Sequence, residues 1–267
     1  MSNSSPDFQL LNLEIEDHLA WLRLNQPPLH ELTPELIDEL SAAHRWLATN
    51  DDVWAVILGA SGEKFFCNGL SPEAMLACDA AGREAIFDKL FAMMREMYAF
   101  PKIELAAING HAMAGGAVLA ILCDFRFMAG ADSKARIGFS EVPVGLTMPA
   151  FLLEIIEGVV GPQHLVQIAM LGRAFRASEA LAMGLVDETP PLAELETRAE
   201  TYLREIMDSL PLASVQNVKA SIRTKRLAAV MAAAPSTVAD LRPFITGNFD
   251  EGLRAVQERR KPQFQNP

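Results

Sequence analysis

Cysteine is scarce in this chain: Cys67, Cys78 and Cys123 are the only three in 267 residues. They show no metal-ligand spacing and follow no secretory start, which excludes a disulfide framework and a cysteine-based zinc site. Free thiols in a reducing compartment, and hence a cytoplasmic protein, are the expectation, with no metal. Positive charge is also short. Lys and Arg number 23 against 34 Asp and Glu, for a net charge of −11. That balance opposes the broad basic surface by which proteins neutralise phosphates, so no nucleic-acid partner is expected, and an anionic ligand has to meet a local cationic patch. No apolar run reaches the roughly 18 residues of a membrane helix. The start, Met1 to Pro6, lacks a charged segment followed by an apolar one, so neither a membrane span nor a leader is expected. Repeats of fixed period and low-complexity segments are missing as well. What is present is hydrophobic: half of the residues, enough to bury a substantial core in one main domain plus an appendage.

The patterning is that of an α/β protein. Leu11, Leu13 and Ile15 alternate with polar residues, Asp17-His18 supplies a turn, and Leu19 to Leu24 reads as the returning strand of a hairpin. Thr33-Pro34 is an N-cap followed by proline at the first helical position, with Leu36, Ile37, Leu40 and Leu47 near one face, which predicts a helix over 34–49. A strand near 53–59, a helix near 82–99, a strand near 103–108 and a helix near 115–123 follow in alternation. Beyond about residue 195 strand signals cease, and Glu196 to Leu210, Pro211 to Arg226 and Asp250 to Arg260 read as helices. The expected division is 1–195 for the core and 196–267 for a helical C-terminal region.

Three segments carry the chemistry. Ile108 to Val118 ends a strand in the small-residue turn Ala114-Gly115-Gly116 and enters an apolar helix. The first N–H groups of a helix lack intrahelical partners and carry the positive end of its dipole, so a developing oxyanion is stabilised there. Taken alone, the same residues equally suit close packing. Lys64 to Pro72 is a second small-residue loop after a buried strand. Ile137 to Gly145 sets one carboxylate, Glu141, among apolar and turn residues, where burial would raise its pKa. A surface or helix-capping carboxylate is the other reading of that position.

In these segments the chain resembles the crotonase superfamily, the enoyl-CoA hydratase/isomerase family. The resemblance runs from about Phe8 to the C-terminus and includes Ala120 to Arg126, Leu171-Gly172-Arg173, Gly184-Leu185-Val186, and Glu251-Gly252 with Glu258 to Phe264. It implies a spiral of strand-strand-helix units with a helical C-terminal trimerisation region, and a homotrimer or homohexamer. It also implies an acyl-CoA thioester substrate, with coenzyme A part of the substrate and no separate cofactor. Leu70 and Gly115 would then donate two backbone N–H bonds to the thioester carbonyl, and Glu141 would exchange protons with the substrate carbon.

Val118 stands where hydratases of the family carry their other glutamate, and valine cannot move a proton. The combination of Val118 and Glu141 resembles the single-glutamate isomerases, so a shift of a 3-enoyl-CoA double bond to 2-enoyl-CoA is the leading expectation. Hydration or another lyase, hydrolase or decarboxylase reaction on the same enolate, and acyl-CoA binding without turnover, stand as alternatives. The resemblance lays the coenzyme A portion along Lys64, Phe66, Cys67, Asn68, Gly69 and Gly116. It also brings Arg259 toward the 3′-phosphate, although a solvated Glu-Arg-Arg-Lys face fits Arg259 as well. His111 reads either as an acyl-pocket residue or as a satisfied core histidine. Met93, Met94, Met97 and Met113 read as acyl-tunnel lining or as core filler. Glu154 and Glu157, on the following helix, could supply a missing acid if they face inward. Leu146 to Leu152 departs from the glycine-rich segment of many hydratases, and Ser71-Pro72 replaces a frequent Asp.

Overall fold

The computed structural model describes residues 6–130, 132–232 and 234–265. The chain opens with the expected hairpin, β1 (Leu11–Glu16) against β2 (Leu19–Leu24). Its two-residue turn puts Asp17 at φ 45° and His18 at φ 66°, the left-handed pair whose twist matches that of the flanking strands. Helix α1 (Pro34–Thr49) starts where the capping signal lies, with the Thr33 hydroxyl accepting from the Leu36 N–H at 3.3 Å.

From here each strand breaks into two. β3 (Ala55–Ala60) is followed at once by β4 (Phe65–Cys67), then by α2 (Pro72–Leu76) and α3 (Ala80–Tyr98). β5 (Ile103–Ile108) is followed by β6 (His111–Met113) and α4 (Gly115–Leu122). β7 (Phe125–Met128) is followed by β8 (Ile137–Gly138) and α5 (Ala150–Val160), and further on come α6 (Pro162–Leu165), β9 (Ala174–Phe175) and α7 (Ala177–Ala182). The first strand of each pair joins a five-stranded sheet of order β1-β2-β3-β5-β7, and the second joins a four-stranded sheet of order β4-β6-β8-β9. Repetition of this unit is a spiral of strand, strand and helix. The corner between β5 and β6 demands glycine, because a Cβ at Gly110 would lie 2.3 Å from the Lys64 carbonyl carbon.

The parallel strands β2, β3, β5 and β7 of the larger sheet are buried on both faces, as parallel sheets are, while the antiparallel edge strand β1 is largely exposed. Val56 and Leu58 of β3 enter the main core beneath α1, α3 and α4. Ala55 and Ile57 point the other way, into a second cluster with Trp21, Leu105 and Phe127. That outer cluster is covered by Leu195, Ala199 and Leu203 of α8 (Leu195–Ser209). α9 (Leu212–Ala232) and α10 (Ala234–Leu241) follow, and α11 (Asn248–Gln257) returns to α2 and to the 3₁₀ turn at Val142–Val144. The short strands of the second sheet, α2 and the helices between residues 162 and 182 lie outside what the sequence patterning predicts, whereas α5 carries Glu154 and Glu157 on a helix as expected.

Candidate active site

The three chemistry-bearing segments meet around one cavity of about 380 Å³. Each arrives as the turn that follows a strand of the smaller sheet, so one sheet edge aims all three. After β4, Gly69 takes φ 84°, and residues 68–71 run beside 29–32. Leu32 donates to the Gly69 carbonyl at 2.8 Å and accepts from the Ser71 N–H at 3.2 Å. Leu70, clamped between those two bonds, has no acceptor for its own N–H among the described residues, and it lines the cavity. After β6, Ala114 takes φ 47° and ψ −120° as the N-cap of α4. The first bond of α4 runs from Val118 N–H to the Ala114 carbonyl at 3.0 Å, which leaves the Gly115 N–H free at the positive end of the helix.

The two donors are close. A Cβ built on Gly115 would lie 3.4 Å from Gly69 Cα, 3.8 Å from Leu70 N and 2.7 Å from a Leu32 methyl, so a side chain here would have to displace Leu32. Gly116 is needed for a neighbouring reason: a Cβ there would lie 2.1 Å from the Cys67 carbonyl oxygen. Two neighbouring amides with unmet hydrogen-bonding capacity, beside an apolar cavity, are the kind of donor pair that a developing oxyanion requires.

After β8 comes Glu141, whose carbonyl accepts from Val144 and Leu146 and so fixes the turn that carries it. Its side chain lines the cavity and is 8% exposed, and Oε2 is buried without a hydrogen-bond partner. Burial pushes the carboxyl up to about 7, against a smaller lowering by its own backbone N–H. A carboxyl with one oxygen unpartnered, raised to near neutrality in an apolar cavity, has the protonation behaviour that a proton-transfer group needs.

Of the other residues singled out in the sequence, Asn68 lines the cavity beside Leu70, and Gly69 and Gly116 pack behind the two amides. Phe66 and Cys67 are wholly buried and lie outside the cavity lining, with burial raising the Cys67 thiol to about 12. Lys64 is exposed beside the Phe65 ring. His111 packs against the same ring at 5.3 Å between centroids; burial, with Arg136 and Lys64, lowers its pKa, and it does not line the cavity. Arg259 is exposed just beyond α11. Val118 is wholly buried within α4 and does not line the cavity. Among the methionines, Met94 and Met113 are lining, while Met93 and Met97 are core. Glu154 is exposed and Glu157 half-buried, and neither reaches the cavity.

Most of the cavity wall was not named from the sequence. Phe87, Leu90 and Phe91 of α3 line it with Met94, at the spacing of one helical face. Phe249 and Leu253 of α11 face them. Glu31 was missed as well: it is half-buried, with a pKa raised by burial and lowered in part by Ser71 and Asn68, and it stands behind the first donor loop.

The sequence matches the model of the enoyl-CoA hydratase/isomerase family over residues 14–267. The chain belongs to that family. It is 28% identical over 264 residues to the (E)-benzylidenesuccinyl-CoA hydratase of Thauera aromatica, covering 95% of this chain and 98% of that protein. It is also 28% identical over 214 residues to the rat mitochondrial enoyl-CoA delta isomerase 1, covering 80% of this chain and 73% of that protein. The crystal structure of human mitochondrial delta3-delta2-enoyl-CoA isomerase superposes with a TM-score of 0.89 at 24% identity, over 94% of this chain and 98% of the other. The spiral described above is thus the crotonase fold. Similar identity to a hydratase and to an isomerase assigns the family and leaves the reaction to the residues of the site.

Proposed function

We propose that this protein is an enoyl-CoA isomerase that moves a 3-enoyl-CoA double bond to the 2-position. The supporting observation is that Glu141 is the only carboxylate among the described residues that line the cavity. In this reading the thioester carbonyl accepts from the Leu70 and Gly115 N–H groups. Ionised Glu141 takes a proton from C2, the C–H electron pair passes into the carbonyl to give a dienolate, and the same carboxyl returns the proton to C4. Nothing is added or lost, so one carboxyl on one face suffices. Each donor is worth about 2.7–4 kcal/mol once charge develops on the oxygen.

Hydration needs a second proton-transfer group to activate water, commonly worth about 10²–10⁴ in rate. Val118 cannot provide it, and Glu154 and Glu157 lie away from the cavity. Coenzyme A enters with the substrate, and no separate cofactor is required. The deciding assay offers a 3-enoyl-CoA and a 2-enoyl-CoA to the wild type and to Glu141→Gln. Transfer of the double bond alone, abolished by the substitution, is expected. Accumulation of 3-hydroxyacyl-CoA would overturn the isomerase reading in favour of a hydratase, and binding without turnover would leave an acyl-CoA binder.

We also infer a homotrimer, or a pair of trimers, in the cytoplasm. The support for assembly is the exposure of the large apolar side chains Val166, Met170, Leu171, Val218 and Ile222, and for the compartment the three free thiols. No helix among the described residues is long and apolar enough to cross a membrane. Light scattering at micromolar concentration distinguishes a trimer from a monomer.

A further inference from the structure

We infer that the acyl group this site accepts is uncharged and of medium length, with about ten carbons, and that acyl groups carrying a second carboxylate are rejected. This rests on the reading of Leu70 and Gly115 as the thioester donors, and it concerns the rest of the same cavity. Volume sets the length. On the scale where an apolar cavity of about 150 Å³ holds the six carbons of benzene, the cavity of about 380 Å³ takes somewhat more than a dozen heavy atoms. Those correspond to the thioester sulfur and oxygen and a chain of about ten carbons.

The walls set the chemistry. Past the donors and Glu141, the lining is hydrocarbon from α3, α5, α10 and α11, including Phe87, Phe91, Leu152, Leu241, Phe249 and Leu253. Asn68, Ser140 and Thr147, all uncharged, are the polar exceptions. No lysine, arginine or histidine lines the cavity among the described residues. A substrate carboxylate inside it would be buried without a cation and would face Glu141, itself already short of a partner. Uncompensated burial of that kind is strongly unfavourable. Val256, also lining, is 43% exposed, so a chain that outgrows the cavity meets solvent at that rim. The gain in affinity should therefore level off rather than reverse.

The test measures binding of unreactive saturated acyl-CoAs to the wild-type protein by calorimetry, from butyryl through tetradecanoyl, with adipoyl-CoA set against hexanoyl-CoA. Affinity should rise roughly fourfold per methylene up to about ten carbons and then level. Adipoyl-CoA should bind at least tenfold more weakly than hexanoyl-CoA. In Leu253→Trp, which fills the far wall, the plateau should begin at a shorter chain. Levelling at four to six carbons, or equal binding of the two six-carbon compounds, would overturn the inference. Saturated ligands undergo no double-bond shift, so a failed isomerisation assay beside an intact affinity series would sink the proposed reaction and leave the acyl class standing.

Discussion

Glu141 is held where its charge is least welcome, and that placement links activity to stability. A base must be ionised to take the C2 proton, so kcat/KM for isomerisation should rise with pH through about 7, following the raised carboxyl, and level above it. Glu141→Gln should lower the rate by at least about 10². The same shift weakens the fold. A carboxyl whose pKa rises on folding carries no penalty below about 4.5, accumulates one between 4.5 and 7, and carries it in full above. At about 1.4 kcal/mol per pH unit, the full penalty is about 3 kcal/mol. Glu141→Gln should therefore melt higher than the wild type at pH 8 and show little difference at pH 4; a lower melting temperature at pH 8 would contradict the unpaired, buried carboxylate. Ala114 stores a second strain, since its φ of 47° with ψ of −120° is a conformation that glycine tolerates and alanine resists. Ala114→Gly should raise stability by about 1 kcal/mol in denaturant titrations while leaving the Gly115 N–H in place.

Helices α4 and α11 depend on glycines that let backbone approach backbone. Gly116→Ala would drive a methyl into the Cys67 carbonyl, 2.1 Å from where Cβ must go. α4 would then move away from the loop that carries Leu70, and kcat should fall with a smaller change in KM, because the donor pair acts mainly on the developing oxyanion. Gly252→Ala acts on the wall instead. Its Cβ would lie 2.1 Å from the Val144 carbonyl oxygen, so α11 would lift and carry Phe249 and Leu253 outward. KM for long acyl chains should then rise more than kcat falls. The legibility of these elements differed for a physical reason. α1 was bounded in the sequence because Thr33 and Pro34 are local signals with local partners. β4, β6, β8 and β9 run for only two or three residues, too short for any period to show, and they are strands only because neighbours pair with them.

Across the molecule, the C-terminal helices are tied to the core by a cluster of charges. Asp124, just past α4, takes the Lys219 ammonium at 2.6 Å, the Arg223 guanidinium at 2.7 Å and the Glu104 N–H at 2.9 Å. Burial depresses the Lys219 pKa and Asp124 opposes that effect. Asp124→Ala would leave two nearly buried cations without their partner, so a loss of about 3–5 kcal/mol is expected, read as a lower midpoint in denaturant unfolding at neutral pH. The sequence was enough for the family, the hairpin, the longer strands and helices of the first half, and the three turns that meet at the cavity, because each is written in contiguous residues whose backbone needs are local: a glycine where φ turns positive, a cap before a helix, a lone acid in an apolar turn. The cavity was different. Phe87 and Phe249 lie far apart in the chain, yet their rings sit 6.3 Å apart, and Met93 and Met94 are adjacent, yet only Met94 lines the cavity. Whether Glu154 or Glu157 could reach the substrate, and how long a chain the walls admit, depended on how α3, α5 and α11 pack, since side-chain direction across a cavity is set by packing between elements remote in sequence.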